Sequence, residues 1–247
     1  PNLHCGGAEK VLSLLTKEWQ LKQNVIFCLF DVSKQFFTVN TKIYDLNAVA
    51  TKNTFLKFYN YFIRVRDFQK VLKKEKPDLI ISFTESANFV SIIGCLFAKR
   101  RNDLVISVRT NLNYYSIITR ATARLLYNLP NKVVVPSSGL ENLLFKTGIK
   151  REKLTVINNP VEFKFNQKNS KNNINIQRPY ILAVGRLSKE KGFERLIESF
   201  AKLSTCVELV FIGEGPEKMN LEKLCKDLDV KRRVHFLGFL KDFDIYY

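Results

Sequence analysis

Long apolar runs are missing from this chain. No stretch of eighteen or more apolar residues occurs in its 247 residues, so no helix is expected to span a bilayer. Metal-ligand and disulfide patterns are missing too. Five cysteines (Cys5, Cys28, Cys95, Cys206, Cys225) are odd in number and scattered without a C-x-x-C pair, and the two histidines, His4 and His235, stand far apart. This gives no support to a disulfide framework or a structural zinc site, and reads as ordinary reduced thiols in a cytoplasmic protein. Low complexity is absent as well: 46% of residues are hydrophobic and 26% charged, which excludes a disordered chain and provides for packed cores. The opening Pro1-Asn2-Leu3-His4-Cys5-Gly6-Gly7 is neither a secretory signal nor an initiator sequence, so a first segment is expected to be missing.

Negative charge is the other shortage. Forty Lys and Arg face 23 Asp and Glu, a formal net charge of +17. Residues 1–165 hold 25 of the cations against 12 anions, an excess of 13, whereas residues 166–247 hold 15 against 11, an excess of 4. The basic field therefore belongs to the first part of the chain. Such a field attracts nucleic acid, anionic lipid headgroups or phosphorylated substrates, and charge alone does not choose among them. Solvated lysine-rich faces are the bland alternative.

What is present is an alternation of apolar runs and helical periods. Ala8, Val11, Leu12, Leu15 and Trp19 share one face of a helix that starts at Gly6-Gly7. Strand-like runs at 25–30, 79–83, 104–108, 132–135 and 154–157 are interleaved with helical stretches at 55–74, 86–99, 113–127 and from Ser137-Ser138 onward. A polar text without apolar period then separates Phe165 from Arg178 and reads as a linker. The alternation restarts with strands at 180–184, 207–212 and 234–237 and helices near 193–203 and 216–228. Short β-rich runs separated by helices predict parallel sheets with crossover helices. The expected division is a first α/β domain over 1–163, a linker over 164–178 and a partial second α/β domain over 179–247. Three strands would leave an edge of that last sheet uncovered, so the natural chain is expected to continue.

Three glycine-containing segments carry the candidate chemistry. Gly6-Gly7-Ala8-Glu9 opens a helix, where free N–H groups and close backbone approach suit an anionic ligand, although such pairs are often simple turns. Gly185-Arg186-Leu187-Ser188-Lys189-Glu190-Lys191-Gly192 follows a buried strand, the place where open α/β sheets bind ligands. There Arg186 offers a fork and Lys191 a point charge to a diphosphate; two solvated loop cations are the alternative. Gly213-Glu214-Gly215-Pro216 lacks the third glycine of a dinucleotide fingerprint, which disfavours a dehydrogenase but still suits a phosphate or sugar.

Taken in order, GGAEK, IISFTESANFV, ISVRTN, VVVPSSGLENLL, INNPVEF, GRLSKEKGFERLIESF, FIGEGP and VHFLGF resemble the retaining family 4 glycosyltransferases of GT-B fold over nearly the whole chain. The resemblance implies an α/β fold of two Rossmann-like domains, the second incomplete. It implies transfer of a sugar from a nucleotide-diphosphate sugar, UDP ahead of GDP, to a hydroxyl of a growing bacterial surface or lipid-linked glycan. Gly6, Gly7, Gly185, Gly213 and Gly215 would bind the donor. Arg186 and Lys191 would hold its diphosphate and stabilise the charge that develops as the nucleotide leaves, with no metal and no other cofactor. Arg109, Glu85 and His4 are candidate acceptor or sugar contacts, Arg109 standing where many relatives carry a histidine. The family's E-x7-E motif would fall beyond Tyr247, so the chain as given is expected to lack carboxylates that activity needs. Asp242-Phe243-Asp244 has the D-x-D form of metal-dependent transferases, but the surrounding pattern is not theirs and it reads as chance.

Partners follow from the same reading: a nucleotide sugar, a glycan or lipid-linked acceptor, and an anionic membrane surface. Two basic helical stretches, 55–76 and 113–127, interleave aromatics (Phe55, Phe58, Tyr59, Tyr61, Phe62, Phe68; Tyr114, Tyr115, Tyr127) with Lys and Arg. Either they dock at an anionic membrane or the aromatics are core and the cations a wet face. The expected location is cytoplasmic, peripheral at the inner face of the cytoplasmic membrane. Two alternatives stand beside this reading: a catalytically incompetent fragment or pseudoenzyme, and a basic nucleic-acid-binding protein. The second lacks any helix-turn-helix, RRM or OB signature, and no nucleic acid is expected as a partner.

Overall fold

The computed structural model describes residues 6–32, 39–46, 54–161, 179–204 and 206–240. Two compact units divide the chain, Pro1–Glu162 and Phe163–Tyr247. The stretch read as a linker, 164–178, lies outside the described residues, as do His4 and the Asp242-Phe243-Asp244 segment.

The first unit runs α1 (Gly7–Trp19), β1 (Ile26–Leu29), β2 (Lys42–Asp45), α2 (Thr54–Glu75), β3 (Ile80–Phe83), α3 (Glu85–Phe97), β4 (Leu104–Ser107), α4 (Ile117–Leu126), β5 (Lys132–Val135), α5 (Ser138–Lys146) and β6 (Leu154–Val156). β1 and β2 pair in parallel, and β3-β4-β5-β6 form a four-stranded parallel sheet in chain order. Parallel neighbours need crossovers, which α3, α4 and α5 supply. The core follows from the strand alternation: Leu104 and Ile106 of β4 and Val133 and Val135 of β5 are fully buried, and α3 packs Val90, Ile92 and Cys95 against them.

The second unit runs β7 (Tyr180–Val184), α6 (Phe193–Ala201), β8 (Glu208–Ile212), α7 (Lys218–Asp227) and β9 (Val234–Phe236), with sheet order β7-β8-β9, all parallel. Central β8 is apolar from Leu209 to Ile212 and buried throughout, as a strand covered on both faces must be. Phe211 stacks on Phe236 at 4.9 Å between centroids and meets Phe193 edge-on at 5.2 Å. That aromatic file ties the first turn of α6 to the sheet and fixes the loop before it.

Two elements differ from the sequence expectation. β2 is a strand that periodicity does not reveal, because Lys42 and Asp45 close a run of only four residues. The helix expected over 113–127 is cut in two by competing caps. Asn111 accepts the Asn113 N–H at 2.8 Å and opens a single 3-10 turn. Tyr115 is extended, and α4 begins only after Ser116, whose hydroxyl accepts the Thr119 N–H at 3.2 Å. The interleaved aromatics also divide. Phe68 and Tyr127 are core, Tyr61 and Tyr115 pack against it, and Tyr59, Phe62 and Tyr114 face solvent. The side chains of Phe55 and Phe58 lie outside the described residues. The four described cysteines, Cys28, Cys95, Cys206 and Cys225, are all free thiols.

Candidate functional site

In the second unit the candidate site is built from the loops that leave β7 and β8 at their carboxyl ends. Leu187 is fully buried and anchors the first loop in the core, which leaves its neighbour Arg186 exposed. The loop is stitched to the next one by backbone: Gly185 N–H donates to Ile212 O at 2.9 Å, Leu187 N–H to Glu214 O at 3.0 Å, and Glu217 N–H to Leu187 O at 3.0 Å. This stitching requires glycine. A Cβ on Gly213 would lie 1.9 Å from the carbonyl oxygen of Gly185, and one on Gly215 would lie 2.2 Å from that of Leu187. The two glycines are thus needed for loop-on-loop packing whatever binds beside them.

Lys191 closes a 3-10 turn that Gly192 ends in left-handed conformation (φ 67°) before α6. Its stem passes Gly185, where a Cβ would stand 3.7 Å from Lys191 Cε. Arg186 and Lys191 are both exposed; their backbones are tied in, Lys191 N–H donating to Ser188 O at 3.0 Å and Arg186 O accepting from the Ser188 hydroxyl at 3.4 Å, while their side chains have no hydrogen-bond or ion-pair partner among the described residues. Glu190 sits among them; hydrogen bonding from Ser188 and its own backbone, helped by the Arg186 and Lys191 charges, holds its carboxyl below the usual range. The arrangement is a hydrogen-bonded backbone frame that presents two exposed cations, suited to a diphosphate.

In the first unit the candidates fall in two places. Gly6 caps α1 with extended backbone, and Glu9 folds back over it, so that a Cβ there would meet Glu9 Oε2 at 2.3 Å. Among the described residues, nothing outside its chain neighbours and its own helix backbone lies within 4 Å of a Cβ added to Gly7.

Glu85 and Arg109 share the carboxyl edge of the four-stranded sheet, after β3 and β4 respectively, but hang on separate hydrogen bonds. The Tyr115 hydroxyl donates to Glu85 Oε2 at 2.6 Å; burial first, then this bond, pushes the tyrosine up to about 12. Glu85 is buried, and its Oε1 has no hydrogen-bond partner among the described residues. Thr84, just before it, is held at φ 73°, ψ 151°, a region that β-branched residues avoid. Arg109 Nε donates to Ser107 Oγ at 2.9 Å, its Nη1 donates to the side-chain oxygen of Asn159, and its Cζ lies over the Phe83 ring, 5.1 Å from the centroid. Burial pushes its guanidinium pKa down. Sequence reasoning did not single out Thr84, Ser107 or Asn159, and it named Tyr115 only among the interleaved aromatics; the partners of Ser107, Tyr115 and Asn159 lie 2 to 50 residues away, and no local pattern marks these roles. Among the described residues, no group of three His, Cys, Asp or Glu stands together as a metal site would require.

The comparisons agree with this architecture. The family model described as Glycosyltransferase Family 4 matches residues 5–165, and the one described as Glycosyl transferases group 1 matches residues 164–247. A Campylobacter jejuni protein, N-acetylgalactosamine-N,N'-diacetylbacillosaminyl-diphospho-undecaprenol 4-alpha-N-acetylgalactosaminyltransferase, is 27% identical over 96% of this chain and 67% of its own length. The lipopolysaccharide core biosynthesis glycosyltransferase LpsE of Rhizobium meliloti is 44% identical over 26% of this chain and 18% of its own. The crystal structure of Anabaena HepE in complex with UDP and glucose superposes with a TM-score of 0.76 at 21% identity, covering 96% of this chain and 67% of that one. The chain spans about two thirds of the length of the relatives it matches from end to end.

Proposed function

Because the chain belongs to glycosyltransferase family 4, we propose that it moves a sugar from a nucleotide-diphosphate sugar, UDP-linked in the first instance, to a hydroxyl of a lipid-linked or surface glycan. One observation carries this reading: two exposed cations whose side chains have no hydrogen-bond or ion-pair partner among the described residues, Arg186 and Lys191, stand on a backbone frame at the carboxyl end of β7. The diphosphate gains negative charge as the sugar–oxygen bond breaks. A guanidinium fork and an ammonium placed on it stabilise that charge more in the transition state than in the ground state. They supply the charge that a divalent metal would otherwise bring, so chelation with EDTA should leave turnover unchanged. The relatives named above, one for a diphospho-undecaprenol acceptor and one for lipopolysaccharide core, support a lipid-linked or surface glycan as acceptor.

The finer proposal is that the enzyme works peripherally at an anionic membrane surface. No helix among the described residues is long and apolar enough to cross a membrane. α4, however, is apolar on two faces. Ala123 and Leu126 turn to the core, while Ile117 (75% exposed), Ile118 (78%) and Leu125 (75%) turn to solvent beside Tyr114, Arg120 and Arg124. Cations flanking an exposed aliphatic stripe suit an anionic interface.

The donor reading is tested by titrating the chain with UDP, GDP and UMP by calorimetry. Saturable binding of one nucleoside diphosphate is expected, weakened about tenfold or more by Arg186→Ala or Lys191→Ala. In a chain extended to the relatives' length, turnover should fall about thirtyfold, or ~2 kcal/mol. Equal nucleotide affinity and turnover in both variants would remove the mechanism.

A further inference from the structure

Arg109 is held in a way that a surface arginine is not. Its Nε–H and one Nη1 N–H are spent on a hydroxyl and an amide oxygen, both neutral, and its Cζ lies over the Phe83 ring. Two of its five N–H groups are therefore engaged, and among the described residues the rest of the fork has no partner. No described acid forms an ion pair with it, and burial alone acts on its protonation. A half-buried guanidinium without a counter-charge is costly, and this one is fixed on three sides, ready for bidentate contact with an oxyanion. It stands at the carboxyl edge of β4, where α/β sheets take their ligands.

The donor's diphosphate does not need this cation, since Arg186 and Lys191 already match its charge on the other unit. An uncharged sugar acceptor would leave Arg109 uncompensated. From Arg109 the chain passes through the Leu112–Tyr114 turn directly into α4 and its exposed Ile117 and Ile118.

We propose that Arg109 binds a phosphate of the acceptor, so that the acceptor is a phosphorylated glycan or a prenyl diphosphate-linked one. This rests on the glycosyltransferase reading above, with the phosphate as the shared chemistry of both sources.

The test is calorimetric titration of the chain, saturated with UDP to fill the donor site, with geranylgeranyl diphosphate, geranylgeraniol and glucose 1-phosphate. The variants are Arg109→Ala, Arg109→Lys, and Arg109→Gln, which keeps a donor at the Nε position for Ser107 if the alanine form folds poorly. Each phosphate titration is repeated in Arg186→Ala, so that it reads Arg109 whether or not UDP binds. The expected result is phosphate-dependent binding that falls at least tenfold in Arg109→Ala and Arg109→Gln and recovers only partly in Arg109→Lys, which restores charge without the fork. UDP affinity should stay unchanged in all three. A prenyl diphosphate effect alone identifies the lipid-linked source, and a glucose 1-phosphate effect alone the phosphorylated glycan. Wild-type chain that binds no phosphate, or binds it equally after Arg109→Gln, overturns the proposal. If UDP still binds in that case, the donor reading stands; if UDP does not bind at all, it is the donor reading that fails.

Discussion

At Gly213 an added methyl group would lie 1.9 Å from a backbone oxygen that cannot retreat without breaking the loop it belongs to, and the residue sits at φ 146° as well. Gly213→Ala should therefore cost roughly 2–3 kcal/mol, read as a lowered urea midpoint with an unchanged slope. Gly7→Ala is the contrast. No described residue outside its own helix crowds the new methyl group, and alanine is the better helix former, so stability should hold or rise by up to ~1 kcal/mol. If Gly213→Ala proves as stable as the parent, the packing account of this loop is wrong. From the sequence, both residues read as punctuation near a ligand. Their separate reasons were not legible, because the atoms that demand glycine at 213 belong to Gly185, 28 positions earlier, and only the fold brings them together.

Among the elements, those with strong period were legible and the weakly patterned ones were not. β4, β5 and β8 announce themselves as apolar runs, and α5 by the Ser137 cap that accepts the Leu140 N–H at 3.3 Å. β2 has no such signature, and what secures it is remote: Lys42 Nζ lies 2.8 Å from Glu75 Oε1 at the end of α2, and the Tyr44 hydroxyl donates to the same oxygen. Those bonds, Lys42 first, hold the Glu75 carboxyl below its ordinary value. A carboxyl whose pKa is lower folded than unfolded stabilises the fold above its unfolded pKa. That contribution is lost as pH falls through the lower folded value. Glu75→Gln should accordingly lower the melting temperature at neutral pH and narrow its gap to the parent below about pH 4, near the ordinary carboxyl value. A gap that stays constant from neutral to acid pH would show that the Glu75 charge does not secure β2. At the first unit's site the same limit held: Arg109 and Glu85 were visible as charges at strand ends. Tyr115 and Asn159, which fix them, were not, because the first is released from a helical period by two caps and the second comes from another strand's end.

For the molecule as a whole, the sequence displayed the quantity but not the direction of its charge. The excess of 13 positive charges over residues 1–165 is countable from the text, yet only the fold shows that α4 sets aliphatic residues outward beside Arg120 and Arg124. The two contributions to the proposed docking differ in size and in salt response. A cation near an anionic bilayer contributes about 1 kcal/mol and is screened within a Debye length. An aliphatic side chain moved fully out of water contributes about 1.5–3 kcal/mol and is not screened. With three such side chains exposed, binding should be driven by charge at the encounter and retained by the stripe. Cosedimentation with phosphatidylglycerol-containing vesicles is expected, against little with phosphatidylcholine alone. About 0.5 M salt, where the screening length drops to roughly 4 Å, should weaken it without abolishing it. Replacing Ile117, Ile118 and Leu125 by serine should abolish it at every salt concentration, while UDP affinity in solution remains that of the parent. Binding that vanishes completely with salt, or survives the triple replacement, would assign the surface to simple charge attraction and remove α4 from the interface.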